Sequence, residues 1–167
     1  TGGSQGVDNL FAAQHDIGFG AEIMGRGKFD WRTGPWTDVG TEREWRGWWG
    51  PNPPFHTPVF VLPHHPRPSI EMEGGTVFHF VTGGFAAALE SARAVASGKD
   101  IRIGGGVDTV RQYLKARLID EMHLAVAPVL LGTGEPLLAD IDLSALGYTC
   151  TKWEASELAA HYTIAKG

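Results

Sequence analysis

Residues 101–118 read IRIGGGVDTVRQYLKARL: a short apolar run, three consecutive glycines, then apolar residues at helical spacing. Glycine inside regular structure costs roughly 1 kcal/mol relative to alanine, so a triplet at this point needs a reason. A tight strand-to-helix turn is one. A bulky, charged group that must approach the backbone is the other.

The rest of the chain repeats this alternation. AEIM (21–24) reads as a buried strand ending at Gly25, RGKFDWR as the start of a helical turn, and VFVL (59–62) and TVFHFV (76–81) as further strands. Thr82 is placed to cap a helix running to about 97, with Phe85, Leu89, Ala92 and Val95 on its buried face. IRI (101–103) is a strand, and Val107, Val110, Leu114 and Leu118 mark the helix after the glycines. MHLAVAPVLL (122–131) reads as a long strand ended by Gly132 and Gly134. The tail GYTCTKWEASELAAHYTIAK reads as an antiparallel hairpin around a Glu-Ala-Ser-Glu turn. Before all of these, Ser4 could cap a short helix to Gln14, with Val7, Leu10 and Phe11 on one face. Strand–helix alternation followed by a hairpin predicts an α/β fold: a mostly parallel central sheet with helices on both faces and a C-terminal antiparallel edge. No repeat or linker divides residues 1–167, so one domain is expected.

Composition removes several classes of function. A net charge of -5 argues against a nucleic-acid binder that works by neutralising phosphates, so an anionic ligand must meet a local basic cluster. The single cysteine, Cys150, excludes an internal disulfide and a cysteine metal site, which makes a reducing cytoplasm the default. No apolar run reaches the length of a membrane span and no secretory signal is recognisable. The sequence opens on Thr1 with the loop-like TGGSQG, as in a chain that was cut or whose beginning is missing.

Glycine and basic residues collect at predicted strand ends. Gly25, Arg26, Gly27 and Lys28 follow the first strand, and Gly104, Gly105 and Gly106 follow IRI. A helix that begins there offers free N–H groups and a partial positive charge suited to phosphate. Ligands of open α/β sheets bind outside the carboxyl ends of the strands. GGGVDT lacks the last glycine of a dinucleotide fingerprint and the Gly-Lys-Ser/Thr of a Walker loop, so an ordinary turn stays open beside the phosphate reading. LPHHPRP (62–68) carries His64, His65 and Arg67 behind another strand. Adjacent histidines on an extended segment point to opposite sides, which makes them a poor metal pair. No metal site is expected.

These residues carry a resemblance. IMGRGKF, VFVLPHHPRP and DIRIGGGVDTVRQYLKARLIDEMHLAVAPVLLGTGEPLL are similar to the dihydrofolate-reductase-like fold. Within it, the chain resembles the C-terminal reductase domain of the bacterial bifunctional riboflavin-biosynthesis deaminase-reductase, from Val7 onward. The resemblance implies an NADPH-dependent reductase acting on a pyrimidine- or pteridine-like heterocycle. It implies that Gly25 and Arg26 form a helix start where the arginine faces the adenosine 2′-phosphate, and that Lys28 stands where relatives offer a hydroxyl to the pyrophosphate. Leu62, His64 and His65 match the segment beside the adenine ribose, with Arg67 as further help. Gly104, Gly105 and Gly106 match the glycines under the pyrophosphate and nicotinamide ribose, with Val107 opening the next helix. A homodimer is implied as well. The family's opening strand, with a Ser-Leu-Asp-Gly-like turn lining the nicotinamide, has no match here, so no catalytic proton donor is nominated. A zinc deaminase motif is also missing, which points to a stand-alone reductase-like chain.

Between 33 and 58 the chain is dense in Gly, Pro and Trp and reads as a functional loop or lid, with one helical turn expected at about 42–48. Its aromatic faces could stack on a flat substrate, with Trp31 and Trp36 as the named candidates and Trp45, Trp48 and Trp49 beside them. Packing of the loop on itself or on a second subunit is the competing reading. Asp120-Glu121 reads as a turn, and His79, His123 and His161 as core or edge residues. The alternatives to a reductase are a non-catalytic nucleotide-binding module and an interaction protein built on the tryptophan loop.

Overall fold

The computed structural model describes residues 6–14 and 18–167. The expected cap at Ser4 therefore lies outside the described residues. In chain order the elements are α1 (Val7–Ala13), β1 (Phe19–Gly25), α2 (Arg26–Phe29), β2 (Pro58–Leu62), β3 (Ile70–Glu71), β4 (Val77–Phe80), α3 (Gly84–Val95) and β5 (Asp100–Ile103). They continue with α4 (Val107–Lys115), β6 (Glu121–Val126), β7 (Tyr148–Ala155) and β8 (Ala160–Lys166). The described residues fall into two compact units that divide within α4: Gly18–Val110, and residues 6–14 with Arg111–Gly167.

The first unit holds a five-stranded sheet in the order β3-β4-β2-β1-β5. β1 runs parallel to β2 and β5, and β2 parallel to β4; only β3 is antiparallel. The apolar runs that form these strands are short and continuous, as parallel strands buried on both faces require. Met24, Val59, Val61, Ile70 and Phe78 form one buried cluster with Phe29 of α2, and Trp36, Trp45, Trp49 and Phe55 of the tryptophan-rich loop pack on it. That loop, together with α2, covers this buried cluster. Its expected helical turn is replaced by a single turn closed by Glu44 N–H on the Thr41 carbonyl at 3.1 Å.

α3 packs along β1 and β2. Its buried residues are Ala88, Leu89 and Ala92, followed by Ala96, while Val95 is exposed. Phe85 stays half-buried, and at the helix end, which comes close to β1, the small Ala96 rather than Val95 takes the buried position. A β-carbon on Gly20 would lie 2.3 Å from the Ala96 carbonyl oxygen. Thr82 does not cap the helix; Gly83 holds that position with no side-chain hydrogen bond.

In the other unit β6, β8 and β7 form a three-stranded antiparallel sheet. The β7–β8 hairpin is where the sequence places it, but it joins β6 rather than the edge of the parallel sheet. The apolar run 122–131 is strand only as far as Val126. Pro128 has no N–H to donate to a ladder, and Val129 N–H instead closes a tight turn on the Ala127 carbonyl at 2.8 Å. Asp120 serves this sheet: its carboxylate meets Lys166 Nζ at 2.8 Å, and its carbonyl accepts the Lys166 N–H.

Candidate functional site

The carboxyl ends of β1, β2 and β5 lie side by side, because Gly25 is in register with Leu62 and Ile23 with Ile103. The glycine triplet is fastened to this edge: Gly104 N–H donates to the Ile23 carbonyl at 2.8 Å and Gly25 N–H to the Gly105 carbonyl at 2.7 Å. So the sequence-predicted glycines 25 and 104–106 and Leu62 do come together. Val107, half-buried, opens α4 directly behind them.

The four glycines are glycine for different reasons. A β-carbon on Gly25 would stand 2.5 Å from Thr109 Oγ1, and one on Gly104 would stand 2.2 Å from Glu22 Oε1. Both exclude a side chain by internal packing. Gly105 has φ +100 and open space beside it, and Gly106 has open space without a positive φ. The Gly105–Gly106 peptide is cis. The open space beside Gly105 and Gly106 leaves a strip of uncovered backbone at a strand end, the kind of surface a phosphate or ribose can lie against.

Arg26 starts α2. Its guanidinium donates to the Gly34 carbonyl, lies 3.9 Å from Asp30 Oδ2 and sits 3.9 Å over the Trp36 ring. Arg67 is turned inward, with a fully buried side chain that donates to Glu44 Oε1 at 2.7 Å. It also lies over Trp36 at 4.7 Å, Phe80 at 5.0 Å and Phe29 at 5.8 Å. Buried nitrogens of both arginines, Nε of Arg26 and Nε and Nη1 of Arg67, have no hydrogen-bond partner among the described residues. The surrounding ring faces supply part of what is missing through cation–π attraction. Arg67 thus fastens the tryptophan loop rather than standing at the strand end. His64 is exposed and His65 half-buried, with the His65 carbonyl receiving Trp36 Nε1 at 2.8 Å.

Lys28 is drawn to a residue that sequence reading missed. Its Nζ lies 3.0 Å from Glu22 Oε1, while Arg102 Nε reaches Glu22 Oε2 at 2.8 Å. Glu22 is 3% exposed, so two partly exposed cations share one buried carboxylate beside Gly104. The signal available in the sequence was a lone acid inside the apolar run AEIM.

Three indoles clamp the loop to backbone carbonyls: Trp36 to His65, Trp45 to Phe29 at 2.7 Å, and Trp48 to Lys28 at 2.9 Å. With two guanidinium groups over its ring, Trp36 is a strut. Trp31 is 78% exposed, so its face is open. A cleft of about 120 Å³ opens among Arg26, Asp30, Arg32, Trp36 and Asp38. It is smaller than the several hundred Å³ usual for a cofactor or heterocycle. Asp30 and Asp38 hydrogen-bond Arg32 and raise its already high pKa. Burial pushes the Asp38 carboxyl up, but the Arg32 guanidinium and the Trp45 amide reverse this and hold it below the usual carboxylate range. Among the described residues no cluster of His, Cys, Asp or Glu could hold a metal ion, and no helix is long and apolar enough to cross a membrane.

Comparison with known proteins bears on the family and the fold. The RibD C-terminal domain profile matches residues 34–162. A crystal structure from Shewanella sp. PV-4, provisionally named as a riboflavin biosynthesis protein, superposes over 100% of this chain and 82% of its own with a TM-score of 0.59 and 24% identity. At that identity it shows the fold. The uncharacterized protein YyaP of Bacillus subtilis is 41% identical over 44 residues, which span 26% of this chain and only 23% of that relative. A pyrimidine reductase-like protein of Corynebacterium diphtheriae aligns over 67% of this chain and 50% of its own at 17% identity and a TM-score of 0.39, too distant to bear on fold or chemistry.

Proposed function

The chain belongs to the RibD C-terminal domain family, and on that footing we propose that it is a reductase that transfers a hydride from NADPH to a pyrimidine- or pteridine-like heterocycle. The observation that carries the reading is the uncovered backbone of Gly105 and Gly106, held against Gly25 at the carboxyl ends of parallel strands. A dinucleotide laid there would have its pyrophosphate and nicotinamide ribose against N–H groups with no side chain in the way. The cofactor supplies the hydride chemistry; the chain supplies orientation and electrostatics.

In this reading Arg26, at the start of α2 with one buried Nε unpartnered, meets the 2′-phosphate, with His64 and His65 along the same edge. Lys28, anchored by Glu22, provides positive charge toward the pyrophosphate. Arg67 contributes by holding Trp36 under Arg26 rather than by touching phosphate. Trp31 is the aromatic face free for a flat substrate.

The test is cofactor titration and NADPH oxidation with a panel of pyrimidines and pterins. Arg26→Ala should weaken NADPH by about tenfold, the equivalent of one charge-assisted hydrogen bond, and leave NADH nearly unaffected. Equal losses for both cofactors would remove Arg26 from the 2′-phosphate. Cofactor binding without turnover would favour a non-catalytic nucleotide module, and no binding at all would overturn the reading. A homodimer is expected too, supported by the exposed Val129, Leu130 and Leu131. Light scattering that gave a monomer at micromolar concentration would end that expectation.

A further inference from the structure

Two histidines that sequence reading assigned to core or edge are joined to α1 in the unit that holds the antiparallel sheet. On β6 and β8, His123 stands opposite Thr163 and His161 opposite Ala125, so the histidines are diagonal neighbours on one face. His123 Nε2 lies 3.0 Å from His161 Nδ1, and His161 Nε2 lies 2.7 Å from Asp8 Oδ1 of α1. Ser156 Oγ donates to the same Asp8 oxygen at 2.9 Å. One turn along α1, Phe11 lies parallel over both imidazoles, 4.5 Å from each ring centre. His161 is 4% exposed.

The protons in this chain are ordered by its acceptors. The Asp8 carboxylate only accepts, so His161 Nε2 donates to it. In a neutral His161 the Nδ1 then accepts, and His123 Nε2 is the donor. One added proton is accommodated: a cationic His161 donates at both nitrogens, toward Asp8 and toward His123. A second is not. Both facing nitrogens would then carry hydrogen at 3.0 Å, and two cations would lie beneath one phenyl ring.

We propose that Asp8, His161, His123 and Phe11 form a proton-operated latch that holds α1 on the three-stranded sheet near neutral pH and releases it on acidification. Among the described residues, Glu121 two positions along β6, Lys152 and Glu154 on β7 and Thr163 on β8 share the register of the pair, Asp8 of α1 meets His161, Ser156 of the hairpin turn meets Asp8, and His123 makes a further contact of its own. Lys152 and Glu154 pair with each other at 3.0 Å, so β7 adds no net charge, and Lys152 Nζ sits 5.3 Å from the Phe11 ring. Hydrogen bonds from His161 and Ser156 hold the Asp8 carboxyl below its usual range, which keeps it ionised as the acceptor for His161.

Hydrogen exchange on the whole chain between pH 8 and pH 5, corrected for the intrinsic rate, reads the latch directly. The α1 amides should lose at least tenfold protection toward the acid end while the β6–β8 ladder keeps its own. His123→Phe leaves a ring beside Phe11 but removes the second proton, so α1 should stay protected at pH 5. Asp8→Asn, without the counter-ion, should release α1 at higher pH than the parent chain. Protection of α1 that is flat over this range, or release of His123→Phe at the parental pH, overturns the proposal. If His123→Phe loses the sheet as well, the imidazole proton resonances of the parent chain decide. Release that tracks a second histidine proton uptake supports the latch, and release that tracks the first, or none, refutes it.

Discussion

The Glu22 carboxylate fills the space that a side chain on Gly104 would need: a β-carbon there would stand 2.2 Å from Oε1 and 2.7 Å from Lys28 Nζ. Carboxylates at the end of a side chain usually swing aside easily. This one is buried and held by Lys28 and Arg102. Gly104→Ala must therefore displace a paired buried charge, and a loss of about 1–3 kcal/mol is expected in urea unfolding. Combining it with Glu22→Ala should cost less than the two single losses added, because the crowding is removed. Parental stability in Gly104→Ala would show that the carboxylate moves freely.

The tryptophans separate into struts and an open face. Trp36→Phe removes the indole donor to the His65 carbonyl and should cost about 0.5–1.5 kcal/mol for that bond alone. Trp31→Ala, at an exposed position, should change stability by less than about 0.5 kcal/mol. If a heterocycle stacks on Trp31, KM rises in Trp31→Ala at unchanged melting temperature. An unchanged KM would remove Trp31 from the substrate site.

Asp38 gives the tryptophan loop an acid dependence whose sign is fixed. Its folded-state pKa is depressed, so its contribution is complete above the unfolded value of about 3.9 and is lost as pH falls through the lower folded value. Asp38→Asn should therefore be less stable than the parent chain at pH 6, with the difference shrinking toward pH 2.5. Tryptophan fluorescence during urea unfolding at the two pH values measures it. A difference that does not change with pH would mean that Asp38 is not the responsible group.

How much of this was legible in the sequence follows from the range of the interactions. Gly25, Leu62 and the triplet could be placed because each strand is a short apolar run closed by its own neighbours. Arg67 looked like a strand-end cation because the residues that bury it, Trp36, Glu44 and Phe80, lie in other segments. Glu22 reads in the sequence as part of an apolar strand, since its partner Arg102 is 80 positions away. The run 122–131 reads as one strand because its hydropathy is continuous, while Pro128 breaks the hydrogen bonding that makes a strand. The histidine pair is created by the β6–β8 register, which no local pattern contains.

The glycine triplet itself supplies the sharpest test of the cofactor reading. Gly105 is a poor probe: with φ +100, alanine there is strained whatever binds nearby, and a melting-temperature loss corresponding to about 1 kcal/mol is expected from the backbone alone. Gly106 is the clean one, because it has open space beside it and no positive φ. Its chain neighbours aside, a methyl group on Gly106 meets no atom of the described residues within 4 Å, so the folded protein should tolerate it. A dinucleotide lying on that backbone should not tolerate it. Gly106→Ala is thus expected to lower NADPH affinity by about tenfold, a loss near 1.4 kcal/mol, while the melting temperature of the ligand-free chain stays close to the parent's. Gly106→Val should extend the affinity loss in the same direction. Titration and thermal melts on the same preparations decide between the two meanings of the triplet. Unchanged NADPH affinity in a folded Gly106→Val would make it a turn and nothing more.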